Sequence, residues 1–269
     1  MRILIHLPVA AALTLSVLPS CGNSASPASD GAVDAGSDAT SPDAMSEKDA
    51  PLDNGSNPMD EQRADAVTEP DAPLVDCEQS LTDDFGARDE LPQSEEPASA
   101  WYTDSRKGTW GPKAAQYPSV DAPLGCEAVA WKRARVLAVA NKYVGLPYQH
   151  HHIPAWDPSS AWADQEGPGL DCSNFTAWVY NYALGLKFIS NVEGQADGTD
   201  APGRRLDSSE PLEPADLLFI LNEERTAISH AVLYIDAQHI IDSTGPGVQV
   251  RSFAGWYQNR YSHARRVLE

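Results

Sequence analysis

From about residue 127 onward the apolar positions fall into clear periods, and ahead of it they do not. Between Ala128 and Lys142, Val129, Val136, Leu137 and the Val139-Ala140 pair recur at helical spacing. Gly145, followed by Pro147, stops that pattern. Ser173 to about Leu184 predicts a second helix, with Phe175, Val179 and Tyr182 as its apolar stripe and Gly185 as its stop. Residues 149–169, rich in His, Pro, Trp and Gly, read as a loop, and so does the polar, Gly-rich stretch 190–211. The continuous apolar run Leu217–Leu221 predicts a buried strand. Ala231–Ile235 and His239–Ser243 predict the arms of a hairpin around Asp236-Ala237. Val248–Val250 adds a short strand, Trp256–Tyr261 a turn or short helix, and His263–Leu268 a last strand. Helices first and an antiparallel sheet afterwards make an α+β fold.

The chain divides by composition into four segments. In residues 1–20, Arg2 precedes an apolar stretch from Leu7 to Leu18, the length of a signal peptide and too short to span a bilayer. It ends in Leu18-Pro19-Ser20-Cys21, which resembles the lipobox of bacterial lipoproteins with Pro19 as a departure. The resemblance implies cleavage before Cys21 and a lipid on its sulfur, hence a membrane anchor and, with Gly22 next, outer-membrane attachment facing the periplasm or surface. Ordinary secretion is the alternative. Residues 21–75 form an acidic linker. Positions 21–100 hold 20 acidic and 3 basic residues, most of the net charge of −20. Such a segment buries too little apolar surface to offset chain entropy, and its self-repulsion predicts an extended spacer. With the acidity in the tail and no basic patch, nucleic acid is not an expected partner. Residues 76–126 carry Trp101, Tyr102, Trp110 and Tyr117 among prolines and charges. They read as an irregular extension packed on a catalytic segment, 127–269.

The candidate chemistry centres on Asp171-Cys172-Ser173. Cys172 falls at the start of the second predicted helix, where the helix dipole favours a thiolate, and Asp171 or Ser173 suits the cap. A buried structural cysteine is the alternative. His230 opens a predicted strand, and Asp242 lies on the returning arm as a cross-strand or diagonal neighbour. A carboxylate there fixes the imidazole tautomer and leaves the other ring nitrogen to work on the thiol. His239 alternates to the opposite face from Asp242. With Cys21 lipidated and Cys172 catalytic, Cys77 and Cys126 remain, and an oxidising compartment suggests a disulfide between them; two free buried thiols are the alternative. The run His150-His151-His152 does not aim three ligands at one metal from an extended chain, because neighbours alternate faces. No metal and no cofactor are expected.

Gly145-Leu-Pro-Tyr148, Asp171-Cys-Ser-Asn-Phe175, Pro214-Ala-Asp-Leu-Leu-Phe219, His230-Ala-Val-Leu-Tyr234 and Ile240-Ile-Asp-Ser243 occur in this order and spacing. The ordered set resembles the NlpC-type cell-wall cysteine peptidases, the family also named for the p-sixty protein, over about half the chain. The resemblance implies a papain-like fold and hydrolysis of peptidoglycan stem peptides beside D-glutamate or diaminopimelate through an acyl-enzyme. It implies Cys172 as nucleophile, His230 as base and acid, and Asp242 where the family usually has a polar residue, most often histidine. Tyr148, Asp171 and Ser173 match positions that line the substrate site. Where the family usually has Trp-Gly-Gly, this chain has Gln149 followed by His150, His151 and His152. One or two of His150, His151 and His152 are expected to line the cleft and the others to cap loop structure, with Trp156 in the long following loop walling one side. A different amide or thioester substrate, or a non-enzymatic binding module, are the alternatives. A monomer is the default.

Overall fold

A computed structural model describes residues 75–97, 113–150, 152–155 and 167–269. The expected leader, Cys21, nearly all of the acidic linker, His151 and Trp156 lie outside the described residues. A short turn of 3-10 helix at Gln79–Leu81 comes first, then α1 (Phe85–Asp89), α2 (Ala128–Lys142), α3 (Cys172–Leu184) and α4 (Val192–Asp197). Strands follow as β1 (Arg204–Arg205), β2 (Leu217–Leu221), β3 (Ile228–Tyr234), β4 (His239–Thr244) and β5 (Gly247–Ser252), then α5 (Trp256–Arg260) and β6 (Tyr261–Arg266). The strands form one sheet in the order β1-β6-β2-β3-β4-β5, with every pair antiparallel. This is the expected α+β layout, with α3 packed on an antiparallel sheet.

Side-chain alternation splits the sheet into two faces. Leu217, Phe219, Ala231, Leu233 and Ile241 join the core under α3, while Leu218, Ile220, Val232, Tyr234 and Ile240 join a second cluster with Tyr257 of α5. Burial on both faces explains why β2 is apolar at every position.

All thirteen residues of α3 are buried, not the single stripe that the sequence predicts. A helix buried all round needs cover on every side. β3 and β4 lie on one side and α2 on another. The 76–126 extension supplies further cover, within the same compact unit as the sheet. The Tyr117 amide donates to Asn181 Oδ1 (3.0 Å), and Asn181 Nδ2 donates to the Ala115 carbonyl (2.8 Å). Phe85 and Tyr117 pack against Tyr182 with ring centroids 5.6 and 5.2 Å away. Cys77 and Cys126 are joined by a disulfide across 49 residues and fasten this extension at both its ends. The free carbonyls at the end of α3 are met by arginines: Arg88 Nε donates to Tyr182 O and Arg135 Nε to Ala183 O, each at 2.7 Å. Gly185 then ends the helix in the left-handed region (φ 69°), where a side chain would strain the backbone and meet the Tyr117 carbonyl.

Two expectations need correction. The stretch 190–211 is not all loop. Asn191 caps α4 by accepting from the Gly194 amide (2.8 Å), and Val192, Gln195 and Ala196 turn inward at i, i+3 and i+4. Arg204-Arg205 then pairs with the end of β6. The strand bounds also shift: β3 starts at Ile228, because the chain pairs with Leu221 around a bulge, and β6 starts at Tyr261, opposite Ile220.

The disulfide's loop length predicts its contribution. Replacing Cys77 and Cys126 together by serine should cost about 2–4 kcal/mol of unfolding free energy. Urea denaturation of the two proteins measures this, and coincident curves would mean that α1 and the Tyr117 segment hold to α3 without the staple.

Candidate active site

Asp171 places Cys172. Its carboxylate accepts from the Asn174 amide (2.8 Å), which caps α3 so that Cys172 is the first helical residue. The exposed amide dipoles of that first turn favour negative charge on the sulfur. Gln195, buried on α4, steadies the same turn: its Nε2 donates to the Ser173 carbonyl (2.8 Å), and Thr176 Oγ1 donates to its Oε1 (2.8 Å). Cys172 is buried, and its sulfur is in a disulfide in this structure. Reduction of that disulfide frees the thiol on which any cysteine chemistry here depends.

His230 and Asp242 come together from adjacent strands. His230 Nε2 donates to Asp242 Oδ2 at 2.7 Å, leaving Nδ1 as the ring's basic nitrogen. Alternation puts both residues on the α5 side of the sheet, with Val232 and Ile240. Ser243, the next residue, faces the other way, and its hydroxyl donates to the Leu170 carbonyl (2.6 Å). That bond ties the strand carrying Asp242 to the chain two residues ahead of Cys172.

Asp242 is completely buried and has two further partners that the sequence reading misses. Tyr257 of α5 donates to Oδ2 (2.7 Å), and Arg251 Nε of β5 donates to Oδ1 (2.6 Å). Arg251 also donates through Nη2 to Thr244 Oγ1 (2.6 Å). Burial pushes the Asp242 pKa up, but His230, Tyr257 and Arg251 outweigh it and hold the carboxyl below its ordinary range. The Tyr257 phenol is pushed up by burial and by this same carboxylate. Trp256 stands beside the imidazole, with ring centroids 6.4 Å apart. A signal for Arg251 exists in the sequence, since it lies nine residues past Asp242 on the next strand. The Val248–Val250 strand prediction stops one residue short of it.

Tyr148 is positioned by backbone pairing on both sides. Gly145 and Leu146 exchange hydrogen bonds with Val248 (2.9 Å each), and Leu170 donates to Pro147 O (3.2 Å). Gly247 permits this approach, because at φ 89° any Cβ there would lie 2.4 Å from the Leu146 carbonyl. The Tyr148 hydroxyl lies 3.3 Å from His150 Nε2, and His150 Nδ1 lies 3.8 Å from Asp171 Oδ2. Ser173 Oγ donates to Asp171 Oδ1 (3.0 Å). Tyr148, His150, Asp171 and Ser173 thus form one polar group around the start of α3. Burial pushes the Tyr148 phenol up, and the Asp171 charge adds to this.

The histidine run divides. His152 is buried, with Nδ1 2.9 Å from the Gly167 carbonyl, and its own carbonyl accepts from Asn174 Nδ2 (3.3 Å). It ties its loop to α3 and lines a cavity of about 430 Å³ with Leu170, Asn174 and Trp178. His239 is exposed and pairs with Asp236 in the β3–β4 turn (2.9 Å), away from the Asp242 group. Among the described residues no group of three or more His, Cys, Asp or Glu has the arrangement of a metal site.

Residues 158–266 match the model of the NlpC/P60 family. Over 109 residues the chain is 29% identical to the gamma-DL-glutamyl hydrolase of Bacillus subtilis (strain 168), covering 40% of this chain and 22% of that protein. The chain therefore spans about a fifth of the length of this curated relative. Similar solved structures include an NlpC/P60 family protein from Bacillus cereus ATCC 10987, at 22% identity and TM-score 0.41, covering 58% of this chain and 44% of that one. The peptidoglycan hydrolase RipB from Mycobacterium tuberculosis is similar at 16% identity and TM-score 0.40, covering 72% of this chain and 82% of that one.

The depressed pKa of Asp242 fixes the sign of a pH effect. A carboxyl whose folded-state pKa lies below its unfolded value adds stability above about pH 3.9, and that stability is lost as pH falls through the folded value. Asp242→Asn should cost about 3 kcal/mol at pH 7, where it breaks a buried pair, and less below about pH 3.9. Urea titrations at pH 7 and pH 3 test this; a gap that does not narrow in acid would mean that the carboxylate charge is not what stabilises the fold.

Proposed function

We propose, from the premise that residues 158–266 form an NlpC/P60 domain, that this protein is a cysteine peptidase of peptidoglycan stem peptides. Cys172 is the nucleophile, His230 the general base and acid, and Asp242 the group that orients the imidazole. The observation that carries this reading is the 2.7 Å bond from His230 Nε2 to a buried, ionised Asp242, with the adjoining strand residue tied to the segment that leads into Cys172.

The chemistry follows from those roles. Nδ1 of His230 takes the thiol proton, and the thiolate attacks the scissile carbonyl carbon. The resulting oxyanion is met by amides of the first turn of α3, including that of Cys172. The C–N bond then breaks, and the imidazolium gives its proton to the leaving amine. A water, deprotonated by the same imidazole, hydrolyses the thioester and returns the thiol. Ionised Asp242 holds the tautomer with the Nε2 proton through both halves of the reaction. Tyr148, Asp171 and Ser173 suit recognition of the ammonium end of a trimmed stem, beside the bond between D-glutamate and diaminopimelate. The Leu18-Pro19-Ser20-Cys21 motif supports a lipid anchor in the cell envelope, with the acidic segment as tether.

A second reading keeps the chemistry and changes the substrate to another amide or a thioester. His150 favours it: when protonated, its Nδ1, 3.8 Å from Asp171 Oδ2, competes for the carboxylate that a substrate ammonium would use.

Digestion of purified peptidoglycan by the reduced full chain, read by mass spectrometry, separates these readings. The expected outcome is cleavage between D-glutamate and diaminopimelate, abolished in Cys172→Ala. Activity retained in that variant would refute the nucleophile. Intact muropeptides alongside turnover of other amides or thioesters would favour the second reading.

A further inference from the structure

We infer that Arg251 is a positioning residue for the reaction, matched to the aspartate at 242 and acting through it on His230. The inference rests on reading Cys172, His230 and Asp242 as one catalytic set.

A carboxylate at position 242 brings a full charge into a place with no solvent contact. Burial alone favours the neutral acid, and a protonated Asp242 would offer a donor where His230 Nε2 needs an acceptor. Arg251 supplies the opposing charge at 2.6 Å. It does so from β5, a different element from the β3 strand of His230 and the α5 helix of Tyr257, so the two carboxylate oxygens are held from three directions. The guanidinium is itself fixed by Thr244 Oγ1 (2.6 Å) and by the Gly247 carbonyl (3.4 Å). A carboxyl group held in this way cannot rotate its Oδ2 lone pair off the imidazole.

The charge matters beyond orientation. An imidazolium beside a lone buried carboxylate is strongly stabilised and gives up its proton reluctantly. Beside an Asp–Arg pair the imidazole meets a dipole instead of a full negative charge. Here the carboxylate and the arginine nine residues after it form a unit. The groups facing Asp242 are His230, Arg251 and Tyr257; those facing His230 are Asp242 and the rings of Trp256 and Tyr257, with the Cys172 thiol as its proposed partner.

The test reads the thiol directly and needs no substrate. The rate of Cys172 alkylation by iodoacetamide is followed against pH in the reduced, full-length protein, with the labelled peptide quantified by mass spectrometry. In Arg251→Gln the Asp242 carboxylate is left unneutralised and free to turn from the imidazole, so thiolate formation is disfavoured and the profile should move to higher pH by about half a unit or more. Arg251→Lys keeps the charge and should lie close to wild type. In an Asp242→Asn background, Arg251→Gln should add no further shift. An unshifted Arg251→Gln profile, or a shift that persists without the carboxylate, overturns the inference. Should Arg251→Gln alone fail to fold, the double variant, which leaves no unpaired carboxylate, is compared with Asp242→Asn under the same criterion. His230→Ala separates the two layers. If it leaves the Cys172 profile unmoved, the catalytic set itself is wrong. If it moves the profile while Arg251→Gln does not, only the role of Arg251 falls.

Discussion

A helix with no face to solvent organises this molecule. α3 buries all thirteen of its residues, so every side needs a neighbour, and each polar group at its two ends needs a partner inside the protein. The amides at its start are met by Asp171, and the carbonyls at its end by Arg88, Arg135 and the Gly185 turn. Negative charge at the start and positive charge at the end both suit the helix dipole. These contacts reach α3 from α1, α2 and the loop before it, so its first residue, Cys172, is held on a rigid element and not on a loop.

The sheet meets a second, electrostatic demand. Asp216 at the start of β2 is buried and ionically paired with Arg266 (2.8 Å) and Arg133 (3.5 Å), which joins β6 and α2 to the strand beside β3. Asp242 is handled the same way by residues from β5 and α5. In both places a buried carboxylate is accompanied by an arginine from another element, as low-dielectric surroundings require. The first arrangement holds the frame together, and the second sits at the candidate catalytic group. The same physics therefore serves the frame at one place in the sheet and the candidate catalytic group at another.

Much of this was legible from residues alone. Recurring apolar positions located α2 and α3, and continuous or alternating apolar runs located the buried strands. The hairpin geometry around Asp236-Ala237 brought Asp242 near His230, because alternation and a short turn fix which side chains share a face. What escaped was carried by residues whose role depends on contacts distant in sequence. α4 hid in a Gly-rich acidic stretch, since a helix of six residues with three buried positions has almost no period to detect. Arg251 and Tyr257 reach Asp242 only through the β4–β5 pairing and the packing of α5, neither of which the local sequence pattern shows. The histidine run left open which member would hold its loop and which would line the cleft; burial and a backbone carbonyl give the structural task to His152.

The family match begins at residue 158, yet much of what surrounds α3 comes from earlier in the chain. α2, Arg88, Tyr117 and Tyr148 all precede that boundary, and the Cys77–Cys126 disulfide fastens part of this surround to itself. A recombination event that transferred only the matched segment would carry off the candidate catalytic residues and leave part of α3 uncovered. The unit that folds is therefore longer than the matched segment, because α3 takes part of its cover from the residues ahead of it. Relatives of this chain should be sought by whether something covers α3, and not by whether the covering residues look alike.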